Sequence, residues 1–196
     1  MAFQFEEPTV PRLLLYCRPS TAVAGKPIVA RVKTTLAGKE FAARFERDSE
    51  GNTRLELQDP RDHAPHFAML ESAKGKLDKW VFYDERTTVV RKWQESSPGS
   101  TAWWFPAGFE AEWTNQCEQV AGHDARKIIL KAQGSAFAAV ECWISESLMV
   151  VLRERAVGQD TATQEWEVSA IEERQPAEDV LATPPGFRES ETPEKR

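Results

Sequence analysis

The sequence predicts a mainly β protein: a single curved antiparallel sheet forming an open half-barrel, with one or two short helices against its concave face. Three observations carry this reading. The dominant hydrophobic period is two rather than 3.6. About ten segments of that period follow one another, separated by short turns. Amphipathic helical pattern is nearly absent, so the strands have chiefly one another to pair with.

The elements follow in chain order. Residues 1–25 read as an N-terminal extension. Within it, Leu13-Leu14-Leu15-Tyr16-Cys17 and the small-x-small triplet Ala22-Val23-Ala24 imitate a signal peptide. The apolar core is too short for one, however, and Glu6 and Glu7 stand where basic residues belong. Residues 28–36 place Ile28, Ala30, Val32 and Thr34 on one face, and residues 40–48 do the same with Phe41, Ala43 and Phe45. Ala37-Gly38-Lys39 joins these two strands, and the turn Asp48–Asn52 leads to a third at 53–57, giving an antiparallel meander.

The segment 66–77 is ambiguous between a strand with a turn at Lys74-Gly75-Lys76 and a short helix; Ala64–Leu77 is one of the two helical candidates. Residues 79–83 and 87–93 read as a hairpin turning at Asp84-Glu85-Arg86, and residues 95–101 as a breaker. Strands are expected at 114–120, 126–132, 137–144, 148–156 and 163–172, with turns at Ala121–Asp124 and Gly158–Asp160. In the last strand, Trp166, Val168 and Ala170 are expected to share the inner face. Ala177–Leu181 is the second helical candidate, since Pro176 suits a first helical turn. Pro184 and Pro185 cannot extend a central strand, and Gly186 permits a sharp bend that drops Phe187 onto an apolar surface. The segment reads as a clasp sealing one sheet edge. Residues 26–188 thus form one domain, and 189–196 a polar tail expected to be disordered.

Composition narrows the function classes. Of 196 residues, 41% are hydrophobic and 29% charged, the balance of an ordinary globular domain. A formal charge of −6 argues against nucleic-acid binding. Mixed charges such as Arg153-Glu154-Arg155 read as solvated strand faces. No apolar run approaches the roughly 18–20 residues of a transmembrane segment. Cys17, Cys117 and Cys142 are too few for a disulfide framework, and Cys142 beside Trp143 reads as a small buried hydrophobe.

Chemistry-bearing motifs are sparse. Asp62, His63 and His66 offer two imidazoles at a ligand-like spacing, but a metal site needs three or four ligands, and a solvated loop is the expectation. His123 beside Asp124 reads as turn chemistry. There is no nucleophile elbow, P-loop or dinucleotide fingerprint, so no enzyme and no cofactor are expected.

Four stretches together resemble the outer-membrane lipoprotein-sorting (LolA-like) group, and within it uncharacterised secreted proteins of acidobacterial type. They are RVKTTLAGKEFAARFERDSEGNTRLEL (31–57), WVFYDERTTVVRKW (80–93), CEQVAGHDARKIIL (117–130) and the run from ECWISESLMVVLRERAV (141–157) to EWEVSAIEERQPAEDVLATPPGF (165–187). The chain departs from the pattern in having Phe187 where Tyr is usual and Leu181-Ala182 where Leu-Phe is common.

The resemblance implies a non-enzymatic cell-envelope protein, periplasmic or secreted, although no intact signal peptide is read and a cytoplasmic location stays open. It also implies a concave face able to bind a lipid or acyl chain. The aromatic cluster Trp103, Trp104, Phe105, Phe109 and Trp113 would then supply the lining, with Trp103, Trp104, Phe105 and Trp113 as ligand-binding residues. The alternative for Trp103 or Trp104 is packing beneath the covering helix. The alternative function is a protein–protein interaction module that docks an envelope partner through a sheet edge or the aromatic rim.

Overall fold

Backbone hydrogen bonds join twelve strands into one open sheet in a computed structural model of the chain. The structure describes residues 18–19, 26–36, 39–72, 77–92, 103–104, 109–132, 137–158 and 165–191. In chain order the strands are β1 Arg18–Pro19, β2 Ile28–Leu36, β3 Lys39–Arg47, β4 Thr53–Gln58, β5 Pro65–Glu71, β6 Leu77–Phe82 and β7 Thr87–Lys92. They continue as β8 Trp103–Trp104, β9 Phe109–Val120, β10 His123–Ala132, β11 Phe137–Ser145, β12 Val150–Gly158, β13 Glu165–Glu172 and β14 Arg188–Glu191. The sheet order is β14-β7-β6-β5-β4-β3-β2-β13-β12-β11-β10-β9, and β1 pairs with β8 in a separate two-stranded ribbon.

Two meanders make up the sheet, β2 to β7 and β9 to β12, and β13 joins them by pairing antiparallel with both β12 and β2. The tight turn between β9 and β10 explains its own composition. Ala121 and Gly122 both have positive φ, 51° and 80°. That is the left-handed pair a two-residue hairpin needs to match strand twist.

Alternation sorts the side chains of the first meander into two faces. Phe45, Leu55, Met69 and Trp80 stand opposite one another across four strands, as do Ala43, Leu57, Phe67 and Phe82. With Ile28, Ala30, Val32, Trp166 and Val168 they belong to the main core cluster. The other face carries the buried Ala68, Leu70 and Val81, with Tyr83, Leu181 and Phe187 packed against them.

Among the described residues there is no helix: of the two alternatives for 66–77 the strand holds, its expected turn at Lys74-Gly75-Lys76 lying outside the described residues, and the helix expected at Ala177–Leu181 is corrected. Residues 65–71 are a strand in which Phe67, Ala68, Met69 and Leu70 are all buried. Both faces of β5 are covered, so the apolar run is continuous and loses the alternation that marks a half-buried strand. Residues 177–181 form bends and a turn instead. The Asp179 side chain accepts from the Leu181 backbone N–H at 2.9 Å, and its carbonyl accepts from Ala182 N–H at 3.0 Å, the local competition by which Asp favours turns over helix.

The last strand holds another correction. Val168 stands opposite Val32, but Ala170 stands opposite Arg31, so Ser169 is an extra residue in a β-bulge. Ala170 is therefore exposed. Ile171, opposite Ala30, packs against the core in its place.

From β13 the chain runs back to the far edge of the sheet. Lys26 reaches Glu173 at 2.7 Å, Gln175 donates to Ser49 at 2.7 Å, and Arg54 donates to the Ala182 carbonyl at 3.0 Å. Gly186, at φ 80°, then turns the chain so that Phe187 lies on Tyr83. Arg188–Glu191 pair parallel to β7, which carries strand structure three residues into the segment read as a polar tail.

Arg47 fixes the base of the sheet. Only 2% exposed, it donates to the carbonyls of Lys26 (2.9 and 2.7 Å), Met149 (2.8 Å) and Leu148. Burial lowers its pKa to about 10. The guanidinium thus ties the turn before β12 to the start of β2, satisfying carbonyls that would otherwise be orphaned.

Candidate ligand-binding face

Period-two alternation puts Phe45, Phe67, Trp80, Phe82 and Trp166 on one side of the sheet. Phe67 meets Trp80 and Phe82 edge to face, with ring centroids 6.2 and 5.3 Å apart. Phe45 meets Trp166 at 6.5 Å with planes at 80°. Phe67 and Trp166 are buried, whereas Phe45, Trp80 and Phe82 are only partly so. A face of this kind offers apolar, edge-rich surface to a hydrocarbon partner.

Cross-strand register extends that face into the second meander. Trp166 is opposite Glu154, Glu154 opposite Cys142, and Cys142 opposite Ile128. Residues directly opposite in an antiparallel pair share a face. Beyond Glu154 lies a second apolar cluster: Ile128, Leu130, Val140, Cys142, Ile144 and Val151, with Trp113 and Met149 packed against it.

Glu154 is the exceptional residue at this seam. It is 2% exposed, and its Oε1 has no hydrogen-bond partner. Burial pushes its carboxyl up to about 8, so it carries a proton at neutral pH. Trp166 beside it is also enclosed, and its indole Nε1–H is likewise unpartnered. In register beside Glu154 on this face, Cys142 is the titratable neighbour. Arg153, Arg155, Glu165 and Glu167 occupy alternate positions pointing the other way, where Arg153 bonds Glu167 at 2.9 Å and Arg155 approaches Glu165 at 3.3 Å.

The triplet Arg153-Glu154-Arg155 is therefore not one solvated face. Arg153 and Arg155 are 28% and 55% exposed, and Glu154 lies between them on the opposite side. Strict alternation through the triplet was the signal that separates them, and reading the charges as a group concealed it.

The opposite face of the second meander is built from charge. Trp143 lies between Lys127, 5.0 Å from its ring centroid, and Arg153, at 5.2 Å. These cations also bond Glu141 at 2.6 Å and Glu118 at 2.8 Å. The arrangement buries the indole under salt-bridged side chains.

The aromatic residues singled out in the sequence fall unevenly. Trp113 is on β9 opposite Ile128, partly buried against the second cluster, with Arg126 at 5.2 Å from its ring. Trp103 and Trp104 form β8, with backbone opposite Pro19 and Arg18. Phe105 lies outside the described residues, so the structure does not join it to Trp113. Phe45, Phe67, Trp80 and Phe82 are spread over three strands, and no local pattern in the sequence marks them as a site because only the register assembles them.

The histidines are dispersed. His63 is exposed at φ 59° in the Asp59–Ala64 turn. His66, the second residue of β5 and partly buried, lies 3.9 Å from Asp59 and 3.8 Å from Asp84. Among the described residues no three His, Cys, Asp or Glu side chains converge on one point. Cys117 is exposed, Cys142 is buried, and neither is in a disulfide. No helix of the described residues is long and apolar enough to cross a membrane.

The sequence matches no protein-family model and no curated protein. The fold does have counterparts among solved structures. An uncharacterised conserved protein from Thermus thermophilus superposes with a TM-score of 0.61 at 16% identity, over 86% of this chain and 91% of that one. A chain of the Pseudomonas aeruginosa MucA/MucB complex superposes at 0.56 and 12% identity, over 85% of this chain. This chain spans 59% of that one's length. A putative outer-membrane lipoprotein-sorting protein domain from Vibrio parahaemolyticus gives 0.37 at 9% identity, over 79% of this chain and 88% of that one. At such identities the likeness is one of fold.

Proposed function

We propose that this chain is a non-enzymatic cell-envelope protein that takes a lipid or another acyl-chain ligand on the aromatic face of its open sheet. One observation carries the reading: Phe45, Trp80 and Phe82 stay partly open on the same face as the buried Phe67 and Trp166. Apolar burial there is worth about 25 cal/mol per Å² before the cost of ordering the ligand. Trp113 extends this surface into the second cluster, and Trp103, Trp104 and Phe105 are proposed as its rim. A periplasmic or secreted location goes with the proposal, supported by the four sequence stretches that resemble the LolA-like group.

Titration with laurate tests it through tryptophan emission. The expected result is saturable quenching with a blue shift, weakened in F45A and in W113A. An emission spectrum unmoved by laurate sinks the proposal.

A second reading has an observation of its own. β9 runs for twelve residues at one end of the sheet and pairs only with β10 among the described strands. An open edge of that length suits strand addition by an envelope partner, and the MucA/MucB structure with the same fold is itself a complex. Protection of amide hydrogens at 109–120 by a partner, without any response to laurate, would favour this reading over the first.

A further inference from the structure

The aromatic face contains a polar position that its packing does not explain. Glu154 and Trp166 are direct cross-strand partners on β12 and β13, which sets their β-carbons about 5 Å apart on one face. Each has a polar atom shut off from solvent and without a partner, Oε1 of Glu154 and Nε1 of Trp166. A buried polar group left unmatched is destabilising. Two at one register position mark a place where binding a complementary group recovers free energy. The pair also has a distinctive location: Val168, Val32 and Phe45 continue the apolar surface to one side, and Cys142, Val140 and Ile128 to the other.

We propose that Glu154 and Trp166 form the polar anchor of this face, holding the carbonyl oxygen of an acyl ester or amide whose chain lies along the apolar residues beside them. The inference rests on the ligand-binding reading above and specifies its ligand. The chemistry follows from the two groups. The indole can only donate, and a protonated carboxylic acid has one O–H to donate. A carbonyl oxygen has two lone pairs and accepts both. A free alkane leaves both groups unmatched. An alkylammonium requires an ionised Glu154, which an apolar surround opposes. Both polar atoms are shut off from solvent, so a ligand reaches them only with local movement of side chains.

Competition between two probes tests the anchor. Diphenylhexatriene, a rod with no polar group, reports on the apolar face alone, and monolaurin brings the ester carbonyl. The quantity read is the ratio of monolaurin affinity to diphenylhexatriene affinity, at neutral pH, in variants whose melting transitions remain cooperative. That ratio is expected to fall at least tenfold in E154L and in W166F. In E154Q, which keeps an N–H donor, it is expected to fall less than threefold. An unchanged ratio in both E154L and W166F overturns the anchor, as does tighter binding of laurylamine than of monolaurin to the natural chain. If diphenylhexatriene binds and the ratio ignores Glu154 and Trp166, the anchor alone fails. If neither probe binds the natural chain, the ligand-binding reading fails with it.

Discussion

Tyr83 and Phe187 meet edge to face, ring centroids 5.6 Å apart and planes at 77°. The tyrosine end of this contact is fixed by hydrogen bonds: its hydroxyl donates to Glu56 at 2.8 Å and accepts from Arg54 at 2.6 Å. Burial and the bond to Glu56 push the Tyr83 hydroxyl up to about 12. Arg54 in turn holds the Ala182 carbonyl. The C-terminal segment is thus held by one ring contact and one guanidinium that share Tyr83.

Replacing Phe187 by Ala removes a partly buried ring and should cost about 2–3 kcal/mol, somewhat under the cost of losing a fully buried one. Denaturant unfolding followed by tryptophan fluorescence measures it. A loss below about 0.5 kcal/mol would show that the clasp contributes little to holding the sheet.

Gly186→Ala probes the same segment through the backbone. Gly186 sits at φ 80°, and an added Cβ would meet Arg86 Nη2 at 3.2 Å. The side chain of Arg86 can move, so the left-handed backbone sets the cost, about 1–2 kcal/mol. Thermal melts of G186A and of R86A/G186A separate the two contributions. If the double variant recovers full stability, crowding by the arginine is the cause and backbone strain is not.

Arg47→Met should be strongly destabilising, by about 3 kcal/mol, because it leaves the carbonyls of Lys26, Leu148 and Met149 without their donor. Arg47→Lys should recover only part of the loss, since an ammonium cannot present the planar fork to three carbonyls. Equal stability of the Lys variant and the natural chain, by urea midpoint, would refute this assignment.

Glu154 predicts a pH dependence with a definite sign. In the unfolded chain its carboxyl has the ordinary value of 4.5, and in the folded chain it is pushed up to about 8. Between these values the folded state holds a proton that the unfolded state has released. Its contribution is therefore fully present below about pH 4.5 and is lost as pH rises through about 8. The E154Q variant should flatten this fall in urea titrations from about pH 5 to about pH 8.5, and E154L should gain stability at the alkaline end. A slope identical in E154Q and the natural chain would place the titration elsewhere.

Much of the fold was legible because half-buried strands announce themselves by alternation. The strand 28–36 has the bounds its pattern implies and the turn at Asp48–Asn52 lies where its residues demand, whereas the turn expected over Ala121–Asp124 is completed by Ala121 and Gly122, so His123 and Asp124 are not turn residues but the start of β10. The failures share a physical cause, the loss of simple alternation. β5 is covered on both faces and resembles a helical patch. Ser169 inserts a bulge that exchanges Ala170 for Ile171 on the inner side.

Sites were harder to read than strands. Composition drew attention to the dense aromatic run at 103–113, whereas the described aromatic face is assembled from Phe45, Phe67, Trp80, Phe82 and Trp166. Such residues become neighbours only when register is known, and register between β13 and β2 spans most of the chain. Glu154 was visible in principle, since a period of two isolates it from the flanking arginines, but nothing local announces that its face is dry.

The parallel pairing of β14 with β7 has a consequence for biosynthesis. Among the described strands, β14 at that rim is made after β7 and its antiparallel neighbours, with β8 to β13 in between. Both meanders are chains of adjacent hairpins and can form as they emerge, but the outer side of β7 stays without β14 until residues 188–191 have been made. A nascent or C-terminally truncated chain therefore presents an unpaired strand edge, a template for self-association. Emergence of β14 is what covers that edge.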